Sequence, residues 1–270
     1  MLSYREYPVA PVLSAYIKKF WVLDNSQEST PAGDKSILPN GCTNLAFIYG
    51  QGIGIRSRQT DIFLKAGIYL VGQLSTSIRV SIAPFTKITL TQFYPWTPGL
   101  LMPGSLADTA GGFIPLGDVD QRLYRLLEPF SPDDEAGIMA FFCRSLTGLI
   151  IHPGRQEVLQ AACNTLRTRR GGMAIRDLAD ELGCSTRHLE KEFRRGLGIT
   201  PKDYAGIIRV RSLVDAMVHQ PLDGPVSQLA MAYGFYDQAH FIKTFGAITH
   251  TSPGKFQAAD FLLQNGGEGF

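Results

Sequence analysis

The sequence predicts an α+β chain of two domains. Residues 1–152 read as a β-barrel or sandwich-like domain with two closing helices. Residues 153–260 read as an all-α domain with two helix-turn-helix motifs joined by a long helix, and 261–270 as a tail. Three observations carry this. LADELGCSTRHLEKEF, from Leu178, returns altered as LAMAYGFYDQAHFIKTF, from Leu229. Before residue 103 the chain is a series of short β-branched and aromatic runs separated by Gly, Pro and Asn, the mark of a barrel or sandwich. Between the two lies His152-Pro153-Gly154, a break. The charge balance also shifts there, from 12 basic and 12 acidic residues in 1–154 to 14 and 10 in 155–256.

In the first half the predicted strands are Tyr16–Leu23, Asn44–Tyr49, Ile68–Val71, Ile78–Ile82 and Thr86–Phe93. Ser77–Ile82 alternates strictly, so one face should be buried. From Asp118 the period becomes helical. Leu123, Leu126 and Leu127 form a stripe that Pro129 ends. Ser131-Pro132-Asp133-Asp134-Glu135 predicts the next start, with Ser131 as N-cap and Pro132 in the first position. Ile138, Phe141, Phe142, Leu146 and Leu149 follow at helical spacing. Either helix suits a dimer interface or packing on the sheet.

In the second half a helix over about Arg155–Thr168 carries Leu159, Ala162 and Leu166 on one face, and Gly171 suits its left-handed end. In the repeat, Ile175–Leu182 is a first helix, Gly183 the turn and Ser185 the cap of a second. Leu189 and Phe193 face inward, so Arg187, Glu190, Lys191 and Arg194 face outward. Thr200 caps a long helix that starts with Pro201 and reaches about His219. In the second copy Asp237 is the cap, Phe241 and Phe245 are inward, and Gln238, Ala239, Ile242 and Lys243 are outward. A charged stripe on a single helix is equally a solvated face. Two such helices on one long connector suit two successive major grooves of duplex DNA. Thr200, Lys202, Ser252 and Lys255 are candidate phosphate contacts.

Other classes are disfavoured. All five histidines lie at His152 or later, so the first half lacks the ligand set of a metal-dependent barrel enzyme and any Ser-His or Cys-His pair. No metal, cofactor or catalytic residue is expected, and the chain should not be an enzyme. Cys42, Cys143, Cys163 and Cys184 form no close pair and read as reduced thiols of a cytoplasmic protein. MLSYREYPVAP is no signal peptide. Ile138–Ile151 is too short to span a bilayer.

The repeated segments resemble the DNA-binding domain of the AraC/XylS family of bacterial transcription regulators over about Arg155–Gln257. The first motif stands as Leu178, Ala179, Gly183, Leu189, Phe193, Gly198 and Pro201. The second stands as Leu229, Ala230, Gly234, Phe235, Asp237, Phe241, Phe245 and Pro253. One departure is His250, where the family has glycine; histidine tolerates a left-handed cap less well, so the last turn is expected to differ. The resemblance implies a sequence-specific regulator, an activator acting on RNA polymerase, with Arg187, Glu190 and Lys191, then Gln238, Ala239, Ile242 and Lys243, in the grooves. The W-x-L segment (Trp21, Leu23) and the PNGC segment (Leu38–Leu45) are similar to the β-rich domains ahead of some such regulators. Those domains bind an effector, form a homodimer, or both. For a small organic effector the expected pocket residues are Trp21, Tyr49, Arg79 and Trp96, from aromatic mass and a charge to orient the ligand. The alternatives are a ligand-independent interaction module or an enzyme fused to a DNA-binding domain.

Overall fold

The computed structural model describes residues 2–58, 60–102, 104–149, 156–219 and 226–261. The predicted break at His152-Pro153-Gly154 lies outside them, as does the side chain of Leu149.

The strands are β1 (Ser3–Tyr7), β2 (Ile17–Asn25), β3 (Ala32–Ile37), β4 (Thr43–Tyr49), β5 (Ile53–Arg56), β6 (Asp61–Leu64), β7 (Gly67–Val71), β8 (Ile78–Ile82), β9 (Thr86–Phe93) and β10 (Phe113–Pro115). They form two antiparallel sheets, ordered β1-β2-β9-β4-β7-β10 and β3-β8-β5-β6. The five predicted strands are β2, β4, β7, β8 and β9. Strand β8 alternates as expected, with Ile78, Val80 and Ile82 buried and Arg79 and Ser81 exposed. The strands that prediction missed lack its signal. Sequences SYREY and AGDKSI (β1 and β3) are polar and mostly unburied, and β5 and β6 have four residues each. Their partners, rather than their own side chains, make them strands.

The helices are α1 (Pro98–Leu101), α2 (Leu116–Val119), α3 (Gln121–Leu127), α4 (Glu135–Leu149), α5 (Glu157–Thr168), α6 (Ile175–Glu181), α7 (Thr186–Leu197), α8 (Pro201–His219), α9 (Val226–Ala232) and α10 (Gln238–Thr249). Helix α4 starts later than predicted. Asp134, not Ser131, accepts from the Gly137 N–H at 2.9 Å, while Ser131 takes the Asp134 N–H into a preceding turn. Leu126, assigned to the apolar stripe of α3, is 54% exposed; a seven-residue helix covers only Leu123 and Leu127.

The central strands of the six-stranded sheet, β2, β9 and β4, are buried on both faces. Phe20, Phe47 and Phe93 pack with Leu123 and Leu127 of α3 and with Ile138, Phe142 and Leu146 of α4. The helices' apolar stripes thus close the sheet. The other face, through Leu23, Ile48 and Ile88, meets Ile55, Ile78 and Val80 of the second sheet.

A third cluster holds helices α5 to α10 together. At its centre Phe193, Tyr204, Phe241 and Phe245 are fully buried, and truncating any of the phenylalanines should cost roughly 3–5 kcal/mol. Leu38 and Trp96 of the β-rich half belong to this same cluster, as does Phe261. The contact is close because Gly41 adopts φ +75°. A Cβ there would lie 2.7 Å from Ile208 Cδ1 and 3.1 Å from the Tyr204 ring, so only glycine brings the 38–42 loop against α8.

Candidate nucleic-acid interface

Each repeat folds as helix, glycine turn, capped helix. Gly183 and Gly234 take φ +63° and +78°. Ser185 accepts from the His188 N–H at 3.1 Å and starts α7. Asp237 accepts from the His240 N–H at 2.7 Å and starts α10. Leu189 and Phe193 of α7, and Phe241 and Phe245 of α10, go into the core. The opposite faces are therefore outward. Arg187, Glu190, Lys191 and Arg194 on α7 are exposed, and so are Gln238, Ala239, Ile242 and Lys243 on α10.

The two helices end alike. Gly198, at φ +70°, donates its N–H to Arg194 O at 3.0 Å, and His250, at φ +60°, donates to Gly246 O at 3.1 Å. The expected difference in the last turn is absent: His250 takes the glycine conformation. Helix α8 links the motifs. Arg209 from its middle donates to the Gly171 carbonyl, at 3.1 Å through Nε, and lies over the Phe235 ring.

The candidate phosphate contacts divide. Lys202, Ser252 and Lys255 are exposed. Thr200 is engaged as the cap of α8: its hydroxyl donates to Asp203 Oδ2 at 2.6 Å and accepts the Asp203 N–H at 3.1 Å. Its backbone N–H also goes to Asp203, at 3.2 Å. Thr200 therefore has no donor left for a phosphate. Tyr236, which its place between core Phe235 and cap Asp237 turns outward, is 85% exposed.

Between the two sheets lies a mostly apolar cavity of about 330 Å³. Of the four expected pocket residues only Trp21 lines it. Tyr49 is on the opposite face of β4, where its hydroxyl donates to Phe130 O at 3.2 Å; burial pushes it up to about 12. Arg79 faces solvent and pairs with Asp34 at 3.2 Å, as the alternation of β8 requires. Trp96 is buried between the halves, its indole N–H donating to Ala15 O at 2.9 Å. Aromatic content alone does not say which face of a strand a ring occupies. Arg211, which no local sequence pattern marks, reaches the cavity from α8.

The fold and the exposed faces define a chain with two helix-turn-helix motifs built to meet DNA. A family model described as "Helix-turn-helix domain" matches residues 178–259, and one for a "Domain of unknown function (DUF6597)" matches residues 5–114. The chain is 33% identical over 90 residues to the probable transcription factor PqrA of Proteus vulgaris, which spans 33% of this chain and 71% of that protein. It is 24% identical over 233 residues to the HTH-type transcriptional regulator GlxA of Rhizobium meliloti (strain 1021), spanning 80% of this chain and 68% of that one. Among solved structures, ToxT from Vibrio cholerae O395 aligns with TM-score 0.44 at 12% identity, over 83% of this chain and 93% of that one. The AraC-like transcriptional activator CuxR aligns with TM-score 0.25 at 13% identity, over 80% and 86%. The chain belongs to the AraC/XylS family and is a DNA-binding transcription regulator. Among the described residues no helix is long and apolar enough to cross a membrane.

Proposed function

We propose that the chain is a sequence-specific regulator that sets α7 and α10 in two successive major grooves on one face of a duplex. It acts as an activator under the control of its N-terminal half. The observation that carries this is the exposure of all eight candidate base-contacting side chains on two helices joined by one continuous 19-residue helix. At a rise of 1.5 Å, α8 spans about 28 Å, near the roughly 34 Å of one duplex turn. The units are residues 1–152 and 153–261; Phe261, assigned to the tail, packs instead in the core of the helical half.

The two faces differ chemically. Arg187, Lys191 and Arg194 can donate to guanine O6 and N7, and Glu190 can accept from cytosine N4. Gln238 can pair with adenine, but Ala239 and Ile242 offer only methyl contacts. Helix α7 therefore chooses sequence, and α10 contributes more to position. Lys202, Ser252 and Lys255 hold phosphates. The cavity between the sheets favours an N-terminal half that responds to a small molecule over one that makes protein contacts alone.

Hydroxyl-radical footprinting on a selected duplex is the test. Two protected patches about one turn apart on the same face are expected; a single patch, or patches on opposite faces, overturns the two-groove reading. Purified RNA polymerase on a template carrying that site should make more transcript with the protein than without it. Less transcript overturns the activator assignment.

A further inference from the structure

We propose that the cavity between the sheets takes an acidic amphiphile, an apolar body bearing one anionic headgroup, and that Arg211 of α8 holds the headgroup. The inference rests on the reading that the N-terminal half responds to a small molecule, and it adds the ligand class and the route to the DNA-binding helices.

The sheet register divides the cavity into an apolar body and a polar end. Trp21, Leu90 and Ala46 stand in one row across β2, β9 and β4, and Leu23, Ile88 and Ile48 in the next. On the other side of Trp21's row comes Lys19, Gln92 and Asn44. That polar row lies at the start of β4, beside the 38–42 loop that packs on α8, and there Arg211 joins the cavity wall. The volume, about 330 Å³, is at the low end of small-molecule sites, roughly 300–1,000 Å³.

The polar end has hydrogen-bonding capacity to spare. Gln92 is 3% exposed, and its Oε1 has no partner among the described residues; the Trp21 indole N–H has none either. Both side chains line the cavity. Buried polar atoms are rarely left without partners. Arg211, itself 9% exposed, meets Asp215 through Nε at 2.9 Å. Its two terminal nitrogens make no hydrogen bond among the described residues, and a guanidinium fork suits an oxyanion.

The charge points the same way. Around the Lys18 and Lys19 amines, on the strand that carries Trp21, the charges are Arg211 and Arg167 against Asp215 and Glu6, so that with the two lysines this neighbourhood is net positive by two. Burial, with Arg167 and Arg211 nearby, pushes the Lys18 amine below its ordinary range. An anion here relieves that repulsion, whereas a cationic ligand adds to it.

The consequence is a tie between the halves. A ligand body lodged in the sandwich and an acid on Arg211 join the β-rich half to α8, the helix that carries both motifs. Occupancy therefore adds to the contacts that set how α7 and α10 sit relative to the sandwich.

The test uses the full chain, with octanoate, octanol and octylamine as probes in calorimetry and thermal shift. Wild type should bind octanoate at least tenfold more tightly than octanol and show no binding of octylamine. Arg211→Gln should lose that preference while still binding octanol, and Arg211→Lys should recover part of it. Ala46→Trp, which fills the cavity, should lose both ligands. Asp215→Asn, which frees the guanidinium, should tighten octanoate severalfold. Equal binding of acid and alcohol by wild type, or a preference unchanged in Arg211→Gln, overturns the headgroup assignment and leaves a ligand-responsive sandwich standing. If wild type binds none of the probes and a broad small-molecule screen finds no stabiliser, both fall. Duplex binding by the same preparation without ligand separates either failure from a failure of DNA recognition.

Discussion

The Ser77 backbone N–H donates to the Ile248 carbonyl at 2.7 Å. Ser77 precedes β8 in the sandwich, and Ile248 is in the last turn of α10. The other motif has the same arrangement: the Leu106 N–H donates to Arg195 O, in the last turn of α7, at 2.8 Å. Carbonyls of a last turn have no partner inside their own helix. Here the β-rich half supplies one at each helix, at the end away from Arg187 and Gln238. Both helices are thus held from behind.

Ser77→Pro removes that donor without entering the strand. The full chain should lose about 1 kcal/mol in denaturant unfolding, and the footprint of α10 should weaken while that of α7 persists. An unchanged α10 footprint would show that the bond does not position the helix.

Arg187→Ala should lose roughly 1–3 kcal/mol of discrimination at one base pair. Ile242→Ala should change discrimination by less than about 0.5 kcal/mol, because a methyl contact is all it gives up. Competition binding against a library of single-base variants measures both. Uniform weakening across all variants in Arg187→Ala would make it a phosphate contact instead.

The left-handed His250, at φ +60°, is a strained position for an L-residue, costing roughly 1–2 kcal/mol. His250→Gly should raise stability by about 1 kcal/mol in denaturant melts, with DNA affinity unchanged. A destabilised variant would mean that the packing of the imidazole outweighs the backbone strain.

Glu135, at the first turn of α4, pairs with Lys87 at 2.8 Å, accepts from the Tyr7 hydroxyl and lies 3.5 Å from Arg5. Burial raises its pKa, but the hydrogen bonds from Lys87 and Tyr7 outweigh it and hold the carboxyl below its ordinary value. A depressed carboxylate stabilises the fold above its unfolded pKa, and the contribution is lost as pH falls through the folded one. Glu135→Gln should therefore cost on the order of 1 kcal/mol at pH 7, and the difference should close below about pH 4. A gap that stays constant down to pH 3 would assign the loss to packing.

Much of this was legible in the sequence because the signals were local. Ser185 and Asp237 announce their helices through a cap and a spacing, and Phe193 and Phe245 fix which face is inward. The five central strands carry enough Val, Ile, Phe and Tyr to declare themselves. What was not legible depended on partners far away in the chain. Strands such as AGDKSI exist because β8 pairs with them. Arg79 was legible and misassigned: the alternation of β8 already put it outside. Arg211 was not legible at all, since no local pattern joins a helix residue to Gln92 on β9.

The core that Leu38 and Trp96 share with α5 to α10 also sets the order of events during synthesis. The β-rich half leaves the ribosome first, with those two side chains prepared for a surface that does not yet exist. Tyr204 and Ile208 follow about a hundred residues after Trp96, a wait of roughly 5–20 s at ~5–20 residues/s. Through that interval the nascent chain carries an uncovered apolar seam. Its safe passage depends on how quickly the second half arrives, which makes slow codons between residues 97 and 204 a hazard to yield.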